Sequence, residues 1–457
     1  MKLDRIVTGL LEALREARRR TLELVRDLDD GQMIGPRLEI VNPLRWEIGH
    51  IAWFQEYWLL RHLLGHAPVL AEGDALYDSA KVAHETRWDL PLPSKDKTIR
   101  FANKILNRVL DQYENATCDS VERARGLSHD FSYFLSLALF HEDMHAEAVT
   151  YTRQTLGYPA PRLAPVDDVS RQECSADDRE LKIENLLSQE KLGDSSIPGA
   201  AFVLGSRQLE PFVFDNEMRA HEIHVQPFAI SRTAVSNAEF AAFVDDRGYQ
   251  RRELWSDEGW EWRERVDAAH PVYWKFVDSK WWRRNFDRMA PLEDRLPVLH
   301  VNWHEADAFC RWAKRRLPTE AEWEMAASAE PTADGLRITD HKRRFPWGDD
   351  APTPARANLD WRAMGCIDVT ALPDSDSAFG CRQMIGNVWE WTATDFGPYP
   401  DFVAGPYKEY SAPWFGDHKV LRGGCWTTRA RLIHNTYRNF YQPDRRDVWA
   451  GFRTCAL

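Results

Sequence analysis

The feature that most restricts the fold is a change of texture near residue 160. Upstream, apolar residues recur at helical spacing. Leu10, Leu11, Leu14, Leu22, Leu24, Val25 and Leu28 mark one stripe, a second runs from Trp46 to Leu64, a third covers about 97–114, and a fourth runs from about 129 to Leu156. A stripe of that period must be buried against another element, so four of them joined by loops predict a four-helix bundle over residues 1–160. The loop from 67 to 96 is long for a bundle connection and holds Tyr77, His84, Arg87 and Trp88, which marks it for function.

Downstream, Pro159, Pro161 and Pro165 open a Ser/Asp/Glu-rich stretch, read as a linker over 161–195. From 196 to 457 the text turns to Pro-Gly, Trp-Gly and Gly-Asn turns with short β-rich pieces such as Glu222 to Ile230. Helical stretches interrupt it at about 236–245 and 303–315, and a third is opened by Thr319, which can cap while Glu322 completes the first turn. The expected class is therefore multidomain, an α bundle followed by an α+β domain.

Several function classes drop out at this point. The net charge of −12 disfavours a nucleic-acid partner, because phosphate binding needs concentrated basic surface. No apolar run reaches the roughly 18 residues needed to span a bilayer, and the amino terminus has no signal-like apolar core, so a cytoplasmic protein is expected. Seven cysteines without a C-x-x-C pair indicate neither a zinc knuckle nor a disulfide framework. The 20 tryptophans exceed what packing alone requires, which points to flat side chains lining walls and pockets.

The strongest chemical signal is His141-Glu-Asp-Met-His145 within the fourth helical stretch. Residues four apart share a face, so both imidazoles can project to one side. A third ligand is His50, in the otherwise apolar run Trp46-Glu-Ile-Gly-His50-Ile-Ala-Trp-Phe, since metal sites in bundles are built from facing helices. Three neutral imidazoles suit zinc, copper or iron. The same run satisfies His-Glu-x-x-His, so a zinc hydrolase with Glu142 as base competes with an oxygen enzyme. A non-catalytic sugar-binding module is a third reading.

Taken in order, Trp46-x-x-x-His50-x-x-Trp53-Phe54, the His141 to Glu147 run, Leu317-Pro-Thr-Glu-Ala-Glu-Trp323, Phe345-Pro-Trp-Gly348, Gly386-Asn-Val-Trp-Glu-Trp391, Leu421-Arg-Gly-Gly424 and Tyr437-Arg-Asn-Phe440 make the chain resemble the ergothioneine-type sulfoxide synthases. These join a DinB-like bundle to a C-type-lectin-like domain of the formylglycine-generating type. The resemblance implies Fe(II) on His50, His141 and His145, and a reaction of O2 and a thiol with hercynine, the trimethylated betaine of histidine. It places Asn439 and Phe440 against hercynine. It also implies a phenol near the iron in the segment Thr392 to Tyr399, where Phe396 takes the usual position and Tyr399 becomes the expected catalytic residue.

Two departures stand out. Met144 occupies the position before the second helical histidine, where the sulfur enzymes commonly have glutamine, and Tyr441 stands where those using γ-glutamylcysteine have aspartate. With Asp78-Ser79, Thr86-Arg87-Trp88-Asp89 and Asp444-Arg445-Arg446-Asp447, they make the chain resemble the selenoneine synthase branch, which implies a selenosugar donor and a carbon–selenium bond. Arg87, Trp88, Tyr441 and Arg445 are the expected sugar contacts, by hydrogen bonding and stacking. A formylglycine-generating activity would have to use Cys425 and Cys455.

Overall fold

A computed structural model of the chain describes residues 2–114, 128–164, 192–207, 212–332, 335–337 and 342–457. Four long helices build the first domain: α1 (Lys2–Val25), α2 (Leu44–Gln55), α3 (Lys95–Glu114) and α4 (Ser128–Leu156). Helix α1 packs along α4, and α2 packs against both α3 and α4. Their seam is apolar, with Leu14, Leu24, Ala52, Ile105, Leu135 and Val149 fully buried. Burying a Leu or Val side chain contributes roughly 1.5–3 kcal/mol, which is why these stripes set the packing.

Three local features depart from the expected outline. Helix α2 does not run to Leu64 as a regular helix but widens into a π-helical turn over Glu56–His62. The stretch read as a loop holds a short helix, Gly73–Tyr77, and a 3-10 turn, His84–Thr86. A further short helix, Asp30–Ile34, is capped by Asp29 and Gln32 in a reciprocal box. Most of the segment read as a linker lies outside the described residues.

The second domain carries α5 (Asn237–Asp245), α6 (Asp257–Arg265), α7 (Trp303–Trp312) and α8 (Glu320–Ser328). Its strands are β1 (Asp194–Ile197), β2 (Ala200–Leu204), β3 (His221–Val225), β4 (Phe228–Ser231), β5 (Trp274–Val277), β6 (Lys280–Asn285), β7 (Arg288–Pro291), β8 (Arg315–Arg316), β9 (Glu330–Thr332), β10 (Gly335–Arg337), β11 (Trp389–Asp395), β12 (Lys419–Arg422), β13 (Asn439–Tyr441), β14 (Ala450–Gly451) and β15 (Cys455–Ala456). One four-stranded sheet runs β1-β4-β15-β8 and another β13-β12-β11-β14, while β5, β6 and β7 form a separate antiparallel ribbon. Thr319 caps α8 with Glu322 returning the bond, as the Pro-Thr-Glu text predicts. The fold class is thus a helical bundle followed by a mixed α+β domain. Among the described residues no helix is long and apolar enough to cross a membrane.

The two domains share a buried seam along α4. Glu147 accepts from Trp389 Nε1 and Thr428 Oγ1, both at 2.7 Å. Arg431 holds Asp143 through two bonds of 2.7 and 2.6 Å, and Trp361 Nε1 donates to Thr150 at 3.0 Å. One face of α4 serves the bundle and another serves the second domain, so this helix is the element on which both converge.

Candidate metal centre

Helix α2 offers His50 and helix α4 offers His141 and His145, and their ligating atoms all lie within 4.8 Å of one another. The outer nitrogens of His50 and His145 are already engaged, whereas His141 Nδ1 is buried without a hydrogen-bond partner among the described residues. His50 Nδ1 donates to the Tyr77 carbonyl at 2.7 Å, and His145 Nδ1 donates to the Glu47 carboxylate. With the proton fixed on Nδ1, the lone pair of each Nε2 points inward, which is how ligating imidazoles are oriented and made more basic. His145 Nε2 and His141 Nε2 approach to 3.2 Å.

Electrostatics keep His50 and His141 neutral. Burial, with His145 beside it, lowers His50 to about 3, and burial among the other two imidazoles puts His141 well below its ordinary value. Burial alone would raise Glu47, yet His145 and Asn42 pull its carboxyl down to about 2. Three imidazole nitrogen donors beside a buried anion fit a divalent transition metal, and three protein ligands leave coordination positions open.

The surrounding wall is aromatic. Phe54 stacks on His141 at 3.6 Å with the planes 4° apart, and Trp46 stacks on His50 at 4.6 Å and 10°. Gly49 makes the approach of Tyr77 feasible, since a side-chain carbon there would meet Tyr77 Cε1 at 2.1 Å and displace the residue whose carbonyl holds His50. The Arg87 guanidinium lies 3.8 Å over the Trp46 ring and donates to Asn42 Oδ1 at 2.6 Å, while Asn42 Nδ2 donates to Glu47 at 2.5 Å. Arg87, read from the sequence as a sugar contact, is instead committed to the groups that orient His50 and His145. Trp88 packs edge-on to His84 at 5.4 Å, with Arg37 6.0 Å over its ring.

Glu142 is spent elsewhere. It accepts from Arg18 Nε at 2.8 Å and Gln55 Nε2 at 2.5 Å inside the bundle. A carboxylate so paired is not free to serve as the base of a zinc hydrolase. Burial and the nearby Glu147 push the Cys425 thiol well above its ordinary value, and burial raises Cys455 to about 12. Neither is the thiolate that cysteine chemistry needs.

The second domain closes the centre with residues the sequence reading did not single out. Tyr407 stands edge-on to Phe54 at 5.0 Å and to His141 at 6.1 Å. Tyr437 and Tyr410 direct their hydroxyls at Met144 Sδ, 3.4 and 3.8 Å away, and at each other at 3.3 Å. Asp215 anchors this segment by accepting from Gly405 N at 3.0 Å and Ser411 Oγ at 2.5 Å. The Tyr407-x-x-Tyr410 spacing was the available signal, but its irregular backbone hides which way the rings face.

Tyr399 is a correction. Its ring lies 4.0 Å under the Arg438 guanidinium and 4.9 Å from His221, and its hydroxyl is buried without a partner. Those neighbours belong to the body of the second domain, and the phenol that packs on a histidine of the centre is Tyr407. Phe396 is also interior, stacked on Phe440 at 4.0 Å. Phe440 in turn touches Tyr410 at 5.9 Å, and Asn439 turns its Oδ1 onto the Phe440 amide at 2.9 Å. Arg445 makes a fork to Asp447 at 2.7 and 2.6 Å and lies 5.2 Å over Tyr441.

Comparison with known proteins agrees with this division. A DinB superfamily model matches residues 13–149, and the model of the sulfatase-modifying factor enzyme 1-like domain matches residues 185–456. A hercynine oxygenase of Mycolicibacterium thermoresistibile is 35% identical over 97% of this chain and 94% of its own length. That of Mycobacterium tuberculosis is 33% identical over 96% of each chain. A formylglycine-generating enzyme of Streptomyces coelicolor is 32% identical but covers only 58% of this chain, 88% of its own.

Proposed function

The chain belongs to the hercynine oxygenase family, and from that membership we propose that it is an oxygen-dependent oxidoreductase joining hercynine to a selenosugar through a carbon–selenium bond. Two of the relatives named above are hercynine oxygenases, and they match this chain along nearly their whole length. The observation that carries the reading is the cluster of three inward Nε2 atoms beneath tyrosines from the other domain. Fe(II) is the metal we assign to His50, His141 and His145, and when bound it supplies the site for O2 activation and the redox chemistry of bond formation.

The chain's own residues bind and orient. Glu47 and the Tyr77 carbonyl fix the ring planes of His145 and His50. Met144, Asn439 and Phe440 are the hercynine contacts we infer, with Phe396 supporting Phe440 from behind and Tyr410 and Tyr437 as the neighbouring hydroxyls. Tyr407, raised to about 12 by burial and bonded to Ser79, keeps its proton at working pH, and we assign it the role of proton-bearing phenol beside His141.

Selenium is favoured over a γ-glutamyl thiol by what surrounds position 441. The phenol of Tyr441 faces Arg445, and the nearby carboxylate, Asp447, is already forked by that arginine. Glu147, the other carboxylate acting on Tyr441, is held by Trp389 and Thr428, so among the described residues a donor's ammonium group finds no unpaired partner there. The test is anaerobic incubation of Fe(II)-loaded protein with hercynine and either a selenosugar or a thiol, followed by admission of air. Oxygen uptake with a selenium-bearing hercynine adduct supports the proposal. Turnover with the thiol alone moves the protein to the sulfur branch, and no uptake with either donor defeats both.

A further inference from the structure

A cavity of about 250 Å³ opens between α2, the stretch after the Gly73–Tyr77 helix, and the tyrosine-bearing segment of the second domain. Its walls are Trp53, Tyr57, Trp58 and Tyr407, and it reaches Phe54. Both Phe54 and Tyr407 touch His141, at 3.6 and 6.1 Å, so the cavity adjoins the metal centre through those two rings. The rim carries Asp78, Lys81, Lys408 and Glu409, together with Ser79 and Ala80. The volume equals about eight waters at roughly 30 Å³ each, room for one substituted sugar ring and too little for a peptide.

Charge narrows the occupant. An aromatic box would suit a quaternary ammonium, but two lysines stand on this rim, and the Arg61 guanidinium already lies 5.2 Å over the Tyr57 ring. Asp78 and Glu409 balance those lysines, so the rim offers a cation no net attraction beyond the rings. An anion meets Asp78 and Glu409. Asp78 accepts from Lys81 Nζ at 2.7 Å, so that pair is internally neutral and presents donors and acceptors rather than net charge. Flat apolar walls under a charge-balanced hydrogen-bonding rim suit a neutral ring with hydroxyls around its edge.

We propose that this cleft is the binding site for the sugar portion of the chalcogen donor, which places its chalcogen end toward Tyr407 and His141. The assignment rests on the function proposed above and replaces Arg87, Trp88, Tyr441 and Arg445 as sugar contacts, so that position 441 bears only on the exclusion of a γ-glutamyl donor. Ala80 is exposed at the cleft mouth, so Ala80→Trp blocks the space without entering the core.

The experiment is calorimetric titration of methyl 1-thio-β-D-glucopyranoside into anaerobic, Fe(II)-loaded protein, with γ-glutamylcysteine as the charged comparison. The expected result is saturable sugar binding that Ala80→Trp weakens at least tenfold and Lys408→Ala weakens several-fold, the loss of about one hydrogen bond, with iron content unchanged in both. Absence of sugar binding in the unmodified protein, equal binding in Ala80→Trp, or tighter binding of γ-glutamylcysteine overturns the assignment. Hercynine-dependent oxygen uptake on the same samples reports separately on the function. Uptake without sugar binding removes only the cleft, whereas sugar binding without uptake under any donor removes the function and leaves the cleft.

Discussion

Glu47 touches no open coordination position, yet two of its contacts converge on the ligands: it takes the Nδ1 proton of His145 and the amide of Asn42. Replacing it with Gln keeps the shape and removes the charge. Losing such an outer partner typically costs 10–100-fold in metal affinity, about 1.4–2.7 kcal/mol. Glu47→Gln is accordingly expected to weaken Fe(II) binding by that factor in a chelator competition, and unaltered affinity would remove Glu47 from the centre. A second pair of variants separates the two phenols. Tyr407→Phe should lower kcat for hercynine-dependent oxygen uptake at least tenfold, because it removes the proton-bearing hydroxyl from the ring that stands beside His141, while Tyr399→Phe should leave it within about twofold, since that hydroxyl makes no bond. The reverse ranking would restore Tyr399 to the role the sequence suggested. At this scale the text was legible where chemistry is local. His141 and His145 are four apart on one helix and could be read directly, and His50 followed from bundle logic. The Tyr77 carbonyl could not be foreseen, because a backbone acceptor leaves no mark on residue type.

Helix α2 shows what an element contributes beyond its ligands. Its stripe from Trp46 to Phe54 is almost wholly buried, and Gly49 at its centre lets the Gly73–Tyr77 helix approach until Tyr77 lies against the backbone. Gly49→Ala gains helix propensity, about 1 kcal/mol, but places a methyl carbon 2.1 Å from the Tyr77 ring. Overpacking of that kind costs typically 1–3 kcal/mol, and the displaced Tyr77 carbonyl would release His50. The expected outcome is a lower denaturation midpoint together with weaker Fe(II) binding, and a variant as stable as the parent with normal iron content would show that the two elements can part harmlessly. Long helices of this kind were readable because the 3.6-residue period survives any context. The π-helical turn Glu56–His62 was not, since one extra residue per turn shifts the stripe without changing its composition. The ribbon β5, β6 and β7 escaped for another reason: Lys275, Trp282, Arg283 and Arg284 blur the polar and apolar alternation on which strand reading depends.

At the scale of the whole molecule, the centre is complete only while two domains stay docked. The ligands come from the bundle, whereas Tyr407, Tyr410 and Tyr437 come from the other side of the seam. Docking is held close to the ligands, because Asp143, between His141 and His145 on α4, is forked by Arg431, and the same arginine reaches Glu16 on α1 at 2.8 Å. Asp143 is fully buried in that pair, and Arg431 keeps about a quarter of its exposure. Removing one partner of a buried pair costs roughly 3–5 kcal/mol, and the solvent access of Arg431 reduces this to about 2 kcal/mol. If the seam couples the domains, the parent unfolds in one calorimetric transition, and Asp143→Asn both lowers it, by roughly 2–4 °C per kcal/mol for units of 150–250 residues, and separates it into two. Oxygen uptake should then fall more steeply with temperature than iron content does, since the tyrosines leave before the histidines release the metal. A single unshifted transition in Asp143→Asn would mean that the rest of the seam, with the bonds of Glu147 and Trp361, holds the domains, and the arginine fork would then bear on register rather than on stability.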